Sequence, residues 1–130
     1  MNASRPGRRV PSPLSLIAIV EDDQSVLESL EGLLESAGYT AIPFYSAEQF
    51  LNSGRLADIT CLVSDFGLPA MNGIDLLRVV KATRSELPVI IITAHDEPTL
   101  LQAALRAGAH NLFRKPLDDT DLLEAIAALQ

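Results

Sequence analysis

The chain lacks several features, and each absence excludes something. Cys61 is its one cysteine, so no intrachain disulfide can form. An inert thiol in a buried strand and a cytoplasmic setting are the expectation. No apolar run approaches the roughly 20 residues needed to span a bilayer, so no membrane association is expected. Residues 1–15, MNASRPGRRVPSPLS, contain no continuous apolar stretch of the kind a secretory signal requires. The two histidines, His95 and His110, have no metal-ligand spacing with each other or with Cys61, and none of the three is assigned a ligand role. No acidic residue precedes Glu21, whereas Arg5, Arg8 and Arg9 do. In the remainder, seven of the ten basic residues face all 17 acids, a formal balance of −10. Such a surface repels phosphate backbones and argues against direct nucleic-acid binding.

What is present is a globular composition, 48% hydrophobic and 21% charged over 130 residues, which suits one domain with one core. Residues 1–14 are expected to be a flexible, basic and Pro-rich leader, and residues 15–130 the domain. Short apolar runs over 14–20, 39–45, 59–64, 89–93 and 109–114 read as strands. Pro43 demotes the second of these to a sheet edge. Between them lie helical patterns. Val26, Leu30, Leu33, Leu34 and Ala37 share one face ahead of Gly38, and Ser46 with Gln49 opens a short helix burying Phe50 and Leu51. Ile74, Leu77 and Val80 stripe a third helix, and Leu101, Ala104 and Leu105 a fourth that stops at Gly108. Asp118 caps a fifth that carries Leu122, Leu123, Ile126 and Leu129 inward. Strands alternating with helices over short connections predict an α/β, doubly wound parallel sheet.

The chain is arranged around CLVSDFGLPAMNG, residues 61–73. An apolar run ends there at Asp65 and gives way to a turn-rich segment. Open α/β sheets place their chemistry at such strand ends. In a parallel sheet all carboxyl ends share one edge, so Glu21, Asp22, Asp23, Asp65, Thr93 and Lys115 are expected to converge. Clustered carboxylates repel one another by roughly 1–4 kcal/mol per pair. A hard cation with open positions for water and phosphate, Mg²⁺ above all, would relieve that repulsion.

The segments IVEDD, SDFGLPAMNG, IIITAHD and LFRKP resemble the receiver domain of two-component response regulators. Asp65 lies 43 residues after Asp22, 28 before Thr93 and 50 before Lys115, and the resemblance covers nearly the whole chain. It implies a flavodoxin-like (βα)5 fold with strand order 2-1-3-4-5. It also implies that Asp65 accepts a phosphoryl group from a sensor histidine kinase or phosphotransfer protein. Asp22 and Asp65 would bind Mg²⁺ directly, with the carbonyl of Gly67, and Glu21 would act through water. Lys115 and Thr93 would contact phosphoryl oxygens. Further implications are a cis Lys115–Pro116 bond, signal output through the loop after Thr93, the fourth helix and the fifth strand, and a possible homodimer through the fourth helix, fifth strand and fifth helix.

Two positions depart from the family pattern. Gly67 stands where a larger side chain is frequent, and Leu112 where Tyr or Phe is usual. Met71 is expected to pack in its loop and Gly73 to serve backbone geometry. A receiver-like adaptor without phospho-switching is the alternative function. An aspartyl phosphatase is disfavoured because Gly67 occupies the place of its second Asp, and a flavin binder because the Glu21–Asp23 acids would repel its phosphate. Residues 15–130 leave no room for a DNA-binding domain, which makes the chain either a single-domain regulator or a receiver from a longer protein.

Overall fold

A computed structural model describes residues 15–129. The leader expected over 1–14 lies outside these described residues, as does Gln130. The elements run β1 (Leu16–Val20), α1 (Gln24–Ser36), β2 (Thr40–Phe44), α2 (Ala47–Asn52), a 3-10 turn (Arg55–Ala57), β3 (Cys61–Asp65), α3 (Gly73–Thr83), β4 (Val89–Thr93), α4 (Pro98–Arg106), β5 (Asn111–Arg114) and α5 (Asp119–Ala127). All four strand pairs are parallel, in the order β2-β1-β3-β4-β5. This is the doubly wound, flavodoxin-like sheet expected from the sequence.

Helices cover both faces. On one side Ala18, Leu62 and Ile91 of the sheet pack with Phe50, Leu76, Leu77 and Val80. On the other, Ile17, Val63 and Ile90 pack with Leu27, Leu30, Leu34, Leu122 and Ile126. Every residue of β3 and β4 is buried, which is why these strands read as unbroken apolar runs rather than alternating ones. Full burial of each large aliphatic side chain contributes about 1.5–3 kcal/mol.

Four helices begin on a side-chain cap: Asp23, Ser46, Asn72 and Asp118 each accept a backbone N–H of the first turn. Such caps are each worth about 1 kcal/mol. Arg84 closes α3 from below, donating from Nη1 to the carbonyls of Leu56 (2.9 Å) and Ile59 (2.7 Å). Leu105, expected on the inner stripe of α4, is instead 54% exposed, while Ala104 is buried. The nine-residue α4 lies over the β5 end of the sheet, where a narrow strip of the helix suffices to cover the core.

The β2 edge is partly blocked. Thr40 donates its N–H to the Ser15 carbonyl (3.3 Å) and Phe44 accepts the Glu21 N–H (3.0 Å). Thr40, Ile42 and Phe44 therefore face β1, and Ala41, Pro43 and Tyr45 face the open edge. Pro43 has no N–H, and the N–H of Tyr45 donates to Gln49 Oε1 at 2.6 Å.

Candidate functional site

Four strands deliver their last residues, or the next one or two, to the same edge. Asp65 ends β3 and Thr93 ends β4, while Glu21 directly follows β1 and Lys115 directly follows β5. Glu21, Asp65 and Thr93 are 2%, 7% and 1% exposed. Asp22 points to solvent. Carboxylate oxygens of Glu21, Asp22 and Asp65 all lie within 4.8 Å of one another. Asp23 belongs elsewhere: its side chain caps α1 through the Val26 N–H at 3.1 Å, and its own N–H donates to Glu21 Oε2 at 3.1 Å.

Lys115 is the counter-charge. Its Nζ lies 2.9 Å from Asp65 Oδ1 and 3.2 Å from Glu21 Oε1. The other Asp65 oxygen, Oδ2, accepts the N–H of Gly67 at 3.1 Å. Burial pushes the Glu21 carboxyl above its ordinary 4.5; the Asp23 N–H opposes that rise, neighbouring Asp65 adds to it, and Lys115 opposes it. For Lys115, burial pulls the ammonium down, but the hydrogen bond and charge contact with Asp65, joined by Glu21, outweigh it and hold the group above 10.5. Three hard carboxylate donors in one cluster, one of them exposed, suit a divalent cation such as Mg²⁺. An ammonium between two of them keeps that cluster from being wholly uncompensated.

The turn after Asp65 is anchored by backbone. Phe66 donates its N–H to the Ile92 carbonyl and accepts the Gly73 N–H, both at 2.8 Å. Gly73 is needed for this approach: a Cβ there would stand 2.7 Å from the Asp65 carbonyl oxygen and from Phe66 Cα. Gly67 has no such constraint, since its Cβ would meet only Asp65 Oδ2, at 3.5 Å. Ala70 at the tip is left-handed (φ 61°), a conformation that costs a residue with a Cβ roughly 1–2 kcal/mol. Met71 is partly buried against the core. Across the edge, the Thr93 Oγ1 accepts the His95 N–H at 2.9 Å. The Lys115–Pro116 peptide is cis. An open cleft of about 410 Å³ adjoins the site between α1 and the turn after β5, lined by Val26, Leu30, Ile92, Lys115 and Pro116 among others.

The structure thus brings together Glu21, Asp22, Asp65 and Lys115, and sets Thr93 on the neighbouring strand end. It also shows contacts that sequence reasoning missed. The double ion pair of Lys115 joins residues 94 positions apart and has no local signal. The capping role of Asp23 did have one, an Asp three residues before the first apolar position of α1. The edge-on contact between the rings of Phe66 and His95, with centroids 5.5 Å apart, had none.

Comparison with known proteins agrees with this fold. The family described as the response regulator receiver domain matches residues 17–127. The response regulator protein TodT of Pseudomonas putida is 36% identical over 121 residues, which are 93% of this chain and 53% of that protein. TmoT of Ectopseudomonas mendocina is 41% identical over 113 residues, covering 86% and 51%. The chain spans about half the length of the curated relatives it matches. Among solved structures, a response regulator receiver domain protein from Clostridium thermocellum superposes with a TM-score of 0.84 at 28% identity, covering 89% of this chain and 94% of that one. The chain belongs to the response regulator receiver domain family, the signalling domains of two-component systems.

Proposed function

We propose that residues 15–130 form a phosphoacceptor domain, with Asp65 taking a phosphoryl group from a phosphohistidine on a sensor histidine kinase or phosphotransfer protein. The observation that carries this reading is the paired placement of Lys115 against Asp65 and Glu21, beside the exposed Asp22. A carboxylate oxygen of Asp65 attacks phosphorus, the P–N bond to the donor imidazole breaks, and its electron pair leaves with the imidazole, which then takes a proton. Mg²⁺, when bound by Asp22, Asp65 and the Gly67 carbonyl with Glu21 acting through water, would neutralise phosphoryl oxygens and orient the incoming group. Lys115 is already within reach of the Asp65 carboxylate, so its ammonium can pass to a phosphoryl oxygen with little movement. Thr93 Oγ1 accepts from His95, which leaves its own hydrogen to donate to another. The cleft that shares Lys115 with the site gives a phosphodonor protein an approach to Asp65.

Output is proposed to run through the residues after Thr93, then α4 and β5, with a homodimer through α4, β5 and α5 favoured by the exposed Leu105. This makes the chain a signalling domain that reacts with its donor, rather than an enzyme acting on a separate substrate. Among the described residues no helix is long and apolar enough to cross a membrane. The test is incubation with acetyl phosphate and Mg²⁺. One phosphoryl group is expected by intact mass, and none on Asp65→Asn. An equally labelled Asp65→Asn would refute the assignment, and an unlabelled wild type would favour the adaptor reading.

A further inference from the structure

Phe66 makes a contact that the chemistry above does not use. Its backbone is tied at both ends, to Ile92 and to Gly73, and its partly buried ring packs against the cluster that contains Leu76 and Leu77. The ring meets that of His95 edge-on, with planes at 76° and centroids 5.5 Å apart, an arrangement that aromatic quadrupoles favour. His95 in turn donates its backbone N–H to Thr93 Oγ1 at 2.9 Å. The surrounding residues 94–99 are exposed, and Glu97 at the start of α4 makes no side-chain cap. An exposed loop thus meets the Phe66 ring through His95, the same residue whose N–H is held by the Thr93 hydroxyl.

We propose that Phe66 is a positioning residue for Thr93. Its ring holds His95, so that the His95 N–H stays on Thr93 Oγ1 and the Thr93 hydroxyl hydrogen stays available to the phosphoryl group. This rests on the reading of Asp65 as phosphoacceptor and adds a residue to it. The physical basis is the rotor at Thr93. An oxygen that accepts from a fixed N–H keeps one side-chain rotamer and turns its own hydrogen elsewhere. Once the N–H drifts, the hydroxyl spreads over other staggered positions and meets the phosphoryl oxygen less often.

Phe66→Leu keeps apolar bulk and removes the ring, whereas Phe66→Tyr keeps the ring. Two readouts apply: the rate of labelling by acetyl phosphate with Mg²⁺, and hydrogen exchange at the His95 amide with no donor present. Phe66→Leu should speed His95 exchange and slow labelling, each by about 2- to 12-fold, the range set by an aromatic pair. Phe66→Tyr should restore both. In a Thr93→Ala background, Phe66→Leu should slow labelling no further. A residue that merely packs would instead slow labelling by the same factor in both backgrounds, and that result overturns the proposal. So does unchanged exchange at His95. Should Phe66→Leu not fold, His95→Ala, at an exposed position, carries the same pair of measurements. If wild type takes no label, the phosphoacceptor reading fails, and exchange at His95 alone then decides the role of Phe66.

Discussion

Replacing Gly73 by alanine should loosen the turn that holds Asp65. An alanine Cβ would sit 2.7 Å from the Asp65 carbonyl oxygen and 2.7 Å from Phe66 Cα. Both are backbone atoms, so neither can swing aside as a side-chain tip does. Either α3 retreats from β3, stretching the 2.8 Å bond from the Gly73 N–H to the Phe66 carbonyl, or the turn deforms. Overpacking of this kind costs about 1–3 kcal/mol. Alanine returns about 0.4–1 kcal/mol by restricting the unfolded chain, which leaves a net loss of up to about 2.6 kcal/mol, about 1.3 kcal/mol at the middle of both ranges. With a urea slope of about 2 kcal/mol per molar, the unfolding midpoint should fall by about 0.5–1 M. Gly67→Ala, six residues away in the same turn, is the control. Its Cβ would make an ordinary 3.5 Å contact and its backbone is not left-handed, so the midpoint should hold or rise by up to about 0.5 M. Circular dichroism at 222 nm follows both transitions. A Gly73→Ala midpoint at or above wild type, or equal responses at the two glycines, would refute the argument from close approach.

Three further outcomes are expected. Lys115→Ala leaves buried Glu21 and Asp65 without their cation; allowing for the partial exposure of the lysine, stability should fall by about 1–3 kcal/mol. Millimolar Mg²⁺ should then raise its melting temperature more than that of wild type, and equal rises would count against the shared site. Burial pushes the Cys61 thiol from an ordinary 9.0 to about 12, which at pH 8 cuts its thiolate about a thousandfold below that of an unfolded chain. A thiol reagent should therefore label Cys61 only through unfolding, and labelling faster than unfolding would contradict this. A raised thiol pKa is a stabilising term complete below pH 9 and lost as pH climbs toward about 12. Finally, on a phosphoryl mimic such as beryllofluoride, hydrogen-exchange changes should concentrate at residues 95–101 in wild type and extend to β5 in Leu112→Tyr. Equal changes around Leu112 in wild type would speak against a weakened fifth-strand response.

Much of this was legible in the sequence because the signals are local or topological. Strands fully covered by helices leave unbroken apolar runs, so 89–93 and the end of 59–64 could be found within a residue or two. Parallel order then forces Glu21, Asp65, Thr93 and Lys115 to one edge without any knowledge of side chains. Leu112 and Phe113 follow from the same alternation: they pack against opposite core clusters, so the phenylalanine cannot serve in place of the missing ring. What escaped depends on side-chain direction or on where the sheet stops. Leu105 fits a helical stripe by spacing, yet α4 lies over the β5 end of the sheet and only Ala104 among its residues is buried. The Lys115 bridge and the Phe66–His95 contact join separate strand ends, and no residue pattern records which rotamers meet.

The partly blocked margin at β2 bears on how a population of these molecules behaves. A strand from a second copy needs a continuous ladder of donors and acceptors to add itself to a sheet. Here Pro43 supplies no donor, and the next one, at Tyr45, is occupied by Gln49. Sheet growth by edge addition is therefore hindered along the second half of this strand. Association between copies then falls to other surfaces, such as the proposed one through α4, β5 and α5 at the opposite end of the sheet.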